Sequence, residues 1–259
     1  MRRALLPVAF SMLGVALVLT LGGGPATAAR PQTTTPPSGL EQVAEGRMLY
    51  NESCTSCHGP NGEGGKLSGG DVAPPLVGVG AASVDFYLST GRMPLANTND
   101  PQAVRKPPAF DPDQIESLVA YVTSLGPGGP AIPELDVEKA SLSKGGELYL
   151  LNCAACHNAA AVGGALSYGA FAPHLLKSSA LEIAEAPRVG PGNMPPFGPE
   201  TLSDEELNDI VKYVEYLQHP EDPGGNPLGH LGPVTEGLVG LLFGLGSLMA
   251  FVAWLGTRA

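Results

Sequence analysis

Apolar residues along this chain fall into two kinds of pattern. Residues 4–23 and residues 237–256 are each 20 residues long and carry no charge. A helix of that length can cross the hydrocarbon core of a bilayer. Between these runs, Ile115, Leu118, Val119 and Val122 follow the i, i+3, i+4, i+7 spacing, and so do Leu207, Ile210, Val211 and Val214. Each set predicts an amphipathic helix with one buried face. Ser203 and Glu206 form a capping box that starts the second of these helices. A short helix is also predicted before Cys54, carrying Leu49-Tyr50, and another before Cys153, carrying Leu148-Tyr149. No stretch alternates apolar and polar residues as a half-buried strand does, so the middle of the chain should be mainly helical.

Stretches rich in Pro and Gly divide that middle: PQTTTPPSG leads in, GPGGPAIPELD separates two halves, and HPEDPGGNPLGHLGP leads out. Such sequences read as linkers. The predicted organisation is a signal peptide or membrane anchor over 1–30 and a first domain over 31–125. A linker follows over 126–140, then a second domain over 141–218, a linker over 219–233 and a membrane helix over 234–257.

At the N-terminus, Arg2 and Arg3, the apolar run and Ala26-Thr27-Ala28 make a signal-peptide series, but the run is also long enough to remain as an anchor. Both readings place the middle of the chain outside the cytoplasm. With Trp254 near its end and Arg258 just beyond, the C-terminal run is a transmembrane candidate. Arg2, Arg3 and Arg258 would all face the cytoplasm. Gly240 and Gly244 make a G-x-x-x-G face on that helix, or simply reflect the frequency of Gly in membrane helices. Residues 31–230 hold 10 Lys and Arg against 24 Asp and Glu, a net charge of −14, which argues against a nucleic-acid partner. It favours a basic or complementary redox partner, or is simply a solvated acidic surface.

Each half is small. With 35 Gly, 26 Pro and 6% aromatic residues in 259, neither half has much apolar material for a core unless something large fills it. All four cysteines lie in two Cys-x-x-Cys-His runs, Cys54, Cys57 with His58 and Cys153, Cys156 with His157, and Cys153 follows Cys54 by 99 residues. That spacing is the attachment signature of a c-type haem, in which two thioethers hold the macrocycle and the adjacent His meets the iron. A redox Cys-x-x-Cys would want a thioredoxin-like βαβ context, and a four-cysteine zinc site would leave both histidines unexplained. Iron bound by one His needs a sixth ligand or an open position. Met93 in GRMPL and Met194 in GNMPPFG sit 35 and 37 residues after the two histidines. A lone Met is usually core filler, but a Met-Pro after Gly in both halves points to axial ligation. A neutral thioether stabilises ferrous iron and suits electron transfer.

Each half thus resembles a class I cytochrome c, and the fold expected is all-α: two tandem class I cytochrome c domains, a C-terminal transmembrane helix and an N-terminal apolar segment. The resemblance covers about residues 40–125 and 141–218, and implies two covalent haem c. In that family a Pro after the attachment motif offers its carbonyl to the ligand His. Pro74 in Ala73-Pro74-Pro75-Leu76 and Pro173 in Ala172-Pro173-His174-Leu175 hold that place. His174 could compete for iron but lies where the family is variable; His219 and His230 lie in the linker and read as solvent-exposed. Between Met93 and Asp111 the first half carries an insert, ANTNDPQAVRKPPAF, that places Arg105 and Lys106 near its methionine. It reads either as a docking element or as a tolerated surface loop.

The order of parts is similar to the dihaem cytochrome c subunit of a bcc-type menaquinol–cytochrome c reductase. That resemblance implies a Rieske iron–sulfur protein as electron donor, a cytochrome b subunit beside the membrane helix, and the copper centre of an aa-type terminal oxidase as acceptor. It implies a translocase subunit in the cell membrane with no catalytic site of its own, and an electron carrier needs none. Three rivals are a cytochrome subunit of a cbb-type oxidase, which is anchored at its N-terminus, a membrane-bound acceptor of a dehydrogenase, and a dihaem peroxidase, which needs an iron that opens to peroxide.

Overall fold

A computed structural model of the chain describes residues 39–67, 70, 72–95, 103–221 and 233–258. The N-terminal apolar segment and His230 lie outside these residues. Within them the expected all-helical repeat is present. The first half runs α1 (Gly39–Ser53), α2 (Thr55–His58), α3 (Ala81–Ser89) and α4 (Pro112–Ser124); the second runs α5 (Leu142–Asn152), α6 (Ala154–His157), α7 (Ala180–Val189) and α8 (Asp204–Gln218). Each half also has one antiparallel ribbon that the sequence patterns did not signal. β1 (Gly65–Lys66) pairs with β2 (Val72–Ala73), and β3 (Gly164–Ala165) with β4 (Phe171–Ala172). Two residues per strand are too few for any alternation to be read.

The first and last helices of each half cross face to face, α1 on α4 and α5 on α8. The close approach depends on a missing side chain. A Cβ on Gly46 would lie 1.9 Å from the Ser117 carbonyl oxygen, and one on Gly145 would lie 1.9 Å from that of Asp209. On α4 the buried face carries Ile115, Leu118, Val119 and Val122, and on α8 Leu207, Ile210, Val211 and Val214. Both are the faces that the spacing predicts. Tyr50 and Tyr149 are wholly buried between the crossing helices. Their rings lie 5.1 Å from Tyr121 and 5.4 Å from Tyr213, which stand at matching places on α4 and α8.

Helix starts follow local chemistry. The Ser203–Glu206 capping box is formed, and two more appear at Asp111–Gln114, followed by Pro112, and at Ser179–Glu182. Each satisfies backbone N–H groups that the first turn leaves without partners. Part of the linker is strapped to α8: Asn208 accepts from the Asp136 N–H at 2.8 Å, Asp209 from the Ser141 N–H at 2.5 Å, and Lys212 Nζ donates to the Ala140 carbonyl at 2.6 Å.

α3 of the first half packs on α7 of the second. At the chain's end, Val234–Gly256 is a continuous helix of mean hydropathy 2.2 whose apolar side chains are all exposed. It is α-helical over Pro233–Val239 (α9) and Gly246–Gly256 (α10), with π-helical hydrogen bonding between them over Gly240–Leu245. A helix this long, this apolar and this uncovered has the dimensions of a membrane span. Arg258 stacks over Trp254 at its far end, 4.4 Å from the ring centre.

Candidate functional site

Both Cys-x-x-Cys-His runs adopt the same local structure. In each, the second helix begins where the first ends, and the His N–H bonds back to the carbonyl of the first Cys at 2.9 Å. The chain then folds over the motif. The Tyr50 hydroxyl donates to the Gly59 carbonyl at 2.7 Å, and Tyr149 to the Asn158 carbonyl at 2.8 Å. Leu76 N–H reaches the Gly62 carbonyl at 2.7 Å, and Leu175 N–H the Ala161 carbonyl at 2.8 Å. Burial pushes the Tyr50 hydroxyl up to about 12 and raises Tyr149 as well, so both remain neutral donors.

These bonds bring Pro74 and Pro173 to the histidines. His58 Nδ1 lies 2.9 Å from the Pro74 carbonyl oxygen, and His157 Nδ1 lies 2.9 Å from that of Pro173. A carbonyl oxygen only accepts, so each bond requires the proton on Nδ1 and, of the two neutral tautomers, selects the one whose Nε2 keeps its lone pair. That is the tautomer an iron-binding imidazole needs. The four thiols are unpaired, and burial pushes Cys54 and Cys153 up to about 11, which keeps them as thiols.

In the second half these groups line one cavity of about 630 Å³. Cys153, Cys156, His157, Pro173 and Met194 all line it, and Leu202, Ile210 and Val214 supply apolar surface. A flat apolar macrocycle with thiols, a free imidazole nitrogen and a thioether around it is what this donor set fits. In the first half, Cys54, Leu76 and Met93 pack against one core of Tyr50, Leu118, Val119 and Val122. Among the described residues no group of three or more His, Cys, Asp or Glu side chains could hold a metal ion by itself. The four cysteines therefore do not meet as a zinc site. His174 lines the same cavity but is exposed, and His219 is exposed just past α8.

The loops that carry the methionines are fixed differently. Met93 N–H bonds to the Tyr87 carbonyl at 2.9 Å, and Lys106 Nζ donates to the Pro94 carbonyl at 3.1 Å. Arg105, in the insert that reads either as a docking element or as a tolerated surface loop, pairs with the second half. Its two terminal nitrogens meet the Glu182 carboxylate at 2.7 and 2.8 Å. In the second half, Arg188 does the holding. Its side chain is 5% exposed, and it donates to the carbonyls of Phe197 at 2.9 Å and Leu202 at 2.7 Å and to Asp204 at 2.6 Å. Nothing in the local sequence marks Arg188, because its partners lie 9 to 16 residues away.

The α3–α7 contact buries acids. Glu185 on α7 is wholly buried with neither carboxylate oxygen meeting a donor, and it faces Asp85 on α3. Burial, then the neighbouring Asp85 charge, pushes Glu185 up to about 9; burial also raises Asp85. Protonated, Glu185 can donate to the Asp85 carboxylate.

Comparison with known proteins agrees with this geometry. The cytochrome c family pattern matches residues 43–126, and that of cytochrome c oxidase, cbb3-type, subunit III matches residues 140–214. A protein of Mycobacterium bovis described as a cytochrome bc1 complex cytochrome c subunit is 39% identical over 254 residues, 94% of this chain and 89% of its own length. One of Corynebacterium efficiens with the same description is 39% identical over 84% of this chain and 77% of its own length. The chain belongs to this family of cytochrome c subunits. The two halves are its cytochrome c domains, a fold that holds covalent haem c. A cbb3-type cytochrome c oxidase subunit CcoP from an Azospirillum species is also similar, but at 28% identity over 68% of this chain and 62% of its own length.

Proposed function

We propose that this chain relays electrons, through two covalent haem c, within a quinol–cytochrome c reductase of the cytochrome bc1 type. The observation that carries the reading is the 39% identity over 94% of the chain to cytochrome bc1 complex cytochrome c subunits. Such identity runs through both domains and into the C-terminal helix. Each haem would be held by thioethers at Cys54 and Cys57 or at Cys153 and Cys156. His58 and Met93 would hold the iron in the first domain, and His157 and Met194 would hold it in the second. Bound this way, haem supplies a reversible one-electron couple. The protein's own part is to orient each imidazole through Pro74 or Pro173, to exclude water with the α4 and α8 faces, and to hold each methionine loop in place.

The donor in this reading is a Rieske iron–sulfur subunit, with a cytochrome b subunit beside the Val234–Gly256 helix and the copper-centre subunit of an aa-type oxidase as acceptor. The haem domains lie outside the cytoplasmic membrane, and Arg258 lies on its inner face. The reductase as a whole acts as a translocase, and this subunit contributes electron transfer alone. Purification through a tag on this chain from native membranes in mild detergent, followed by a reduced-minus-oxidised spectrum, tests the assignment. Bands of b-type and a-type haem beside the c-type band are expected. A c-type band alone, from a preparation that retains the anchor, would refute membership of such an assembly.

A further inference from the structure

The haem cavity of the second domain is closed in part by the first. Phe86, Tyr87, Arg92 and Val104 of the first domain line it together with Cys153, Cys156, His157 and Met194. Of these first-domain residues Arg92 stands out chemically. Its guanidinium stacks over the Phe86 ring, 4.7 Å from the ring centre, and its Nη1 is buried with no hydrogen-bond partner among the described residues. The neighbouring Arg105 has a counterion, because Glu182 takes both of its terminal nitrogens. Arg92 forms no ion pair among the described residues. A half-buried guanidinium whose buried nitrogen has an unused donor is costly unless an acceptor meets it.

Haem brings such anions, since each macrocycle carries two propionate carboxylates. We infer that Arg92 of the first domain donates across the domain boundary to a propionate of the haem held by the second domain. This rests on the reading that Cys153, Cys156, His157 and Met194 hold that haem. Guanidinium suits the role because its planar donors match a carboxylate and it is weakly hydrated. Two consequences follow. The second haem completes the domain interface, since the α3–α7 contact by itself leaves Nη1 of Arg92 without a hydrogen-bond partner among the described residues. The cation also tunes that haem: ferric haem carries one more positive charge than ferrous, so a nearby cation disfavours the ferric form and raises the potential. As Arg92 immediately precedes Met93, the proposed ligand of the first haem, one short segment serves both centres.

The test is potentiometric titration of the full-length dihaem chain in detergent, following the c-type band. Met194→Gln and Met93→Gln, each measured alone, assign the two potentials to the two domains. Arg92→Gln should lower the potential that Met194→Gln moves, leave the one that Met93→Gln moves, and keep both haems attached. Arg92→Lys should restore most of the loss, because it keeps the charge. Resonance Raman bands of the propionates should change in Arg92→Gln as a hydrogen bond is lost. If Arg92→Gln leaves both potentials unchanged, or shifts only the one assigned to Met93, the inference is overturned. If Met194→Gln itself moves neither potential, the ligand reading fails instead.

Discussion

Replacing Gly145 by alanine tests how tightly the two crossing helices of the second domain must fit. The new Cβ would lie 1.9 Å from the Asp209 carbonyl oxygen, 2.5 Å from its carbon and 3.0 Å from the Tyr213 Cβ, where ordinary contact begins at 3.4 Å. Since the obstacle is backbone, no rotamer change relieves it. α5 and α8 have to part by about 1.5 Å, the difference between the 1.9 Å approach and the 3.4 Å contact. A radial gap of 0.5–1 Å already forfeits a quarter to a half of the dispersion well, so Tyr149, Leu207, Val211 and Val214 would all lose contact. Overpacking of this kind costs about 3 kcal/mol at the upper end of its usual range, against about 1 kcal/mol gained from alanine's helix propensity. The net loss is about 2 kcal/mol, which lowers the melting temperature of a domain this size by roughly 8–16 °C. Thermal unfolding of the purified haem-loaded chain, followed by circular dichroism in the Soret band, reads the change. Gly46→Ala should do the same in the first domain, and Gly39→Ala, whose Cβ would meet nothing within 4 Å, should not. A Gly145→Ala protein that melts at or above the parent temperature would refute the steric reasoning.

Four further outcomes are expected. Cys153→Ala with Cys156→Ala should halve the haem-to-protein ratio measured as the pyridine haemochrome, and an unchanged ratio would mean that the second motif attaches none. Replacing Met93 or Met194 should lower one haem potential while covalent attachment persists, since a thioether ligand favours ferrous iron; the titration described above reads it. Arg188→Met should cost about 1–3 kcal/mol, because the carbonyls of Phe197 and Leu202 lose their donor, and it should raise the fraction of the second haem that loses its methionine ligand on mild heating. Glu185 has its folded-state pKa raised from 4.5 to about 9, so the stability it confers is complete below about 4.5 and is lost as pH rises through about 9. Melting temperatures across that range should fall more steeply with pH in the parent than in Glu185→Gln, and parallel curves would exclude the buried acid as the cause.

The residues proposed to hold the two haems stand out in the sequence because their chemistry is local. Cys-x-x-Cys-His spans five residues, and a helical turn is enough to place its thiols and imidazole; Met93 and Met194 were visible by their repetition. The helices α4 and α8 were legible because burial on one face imposes a 3.6-residue period, and Ser203 with Glu206 because a cap is a contact over three residues. α3 and α7 carry no comparable stripe, since each is short and packs on more than one side. The two-residue strands leave no pattern to read.

Local pattern in the chain therefore carries the kind of cofactor, the doubled Cys-x-x-Cys-His motif, the acidic domains and the apolar C-terminal helix. Tertiary structure alone decided how the two domains meet. That Arg105 faces Glu182, 77 residues away, that Glu185 lies buried against Asp85, and that Arg92 opens into the neighbouring domain's cavity are contacts between distant positions. A single sequence records charges but not their partners, because a contact between distant positions arises only once helices pack and exclude water.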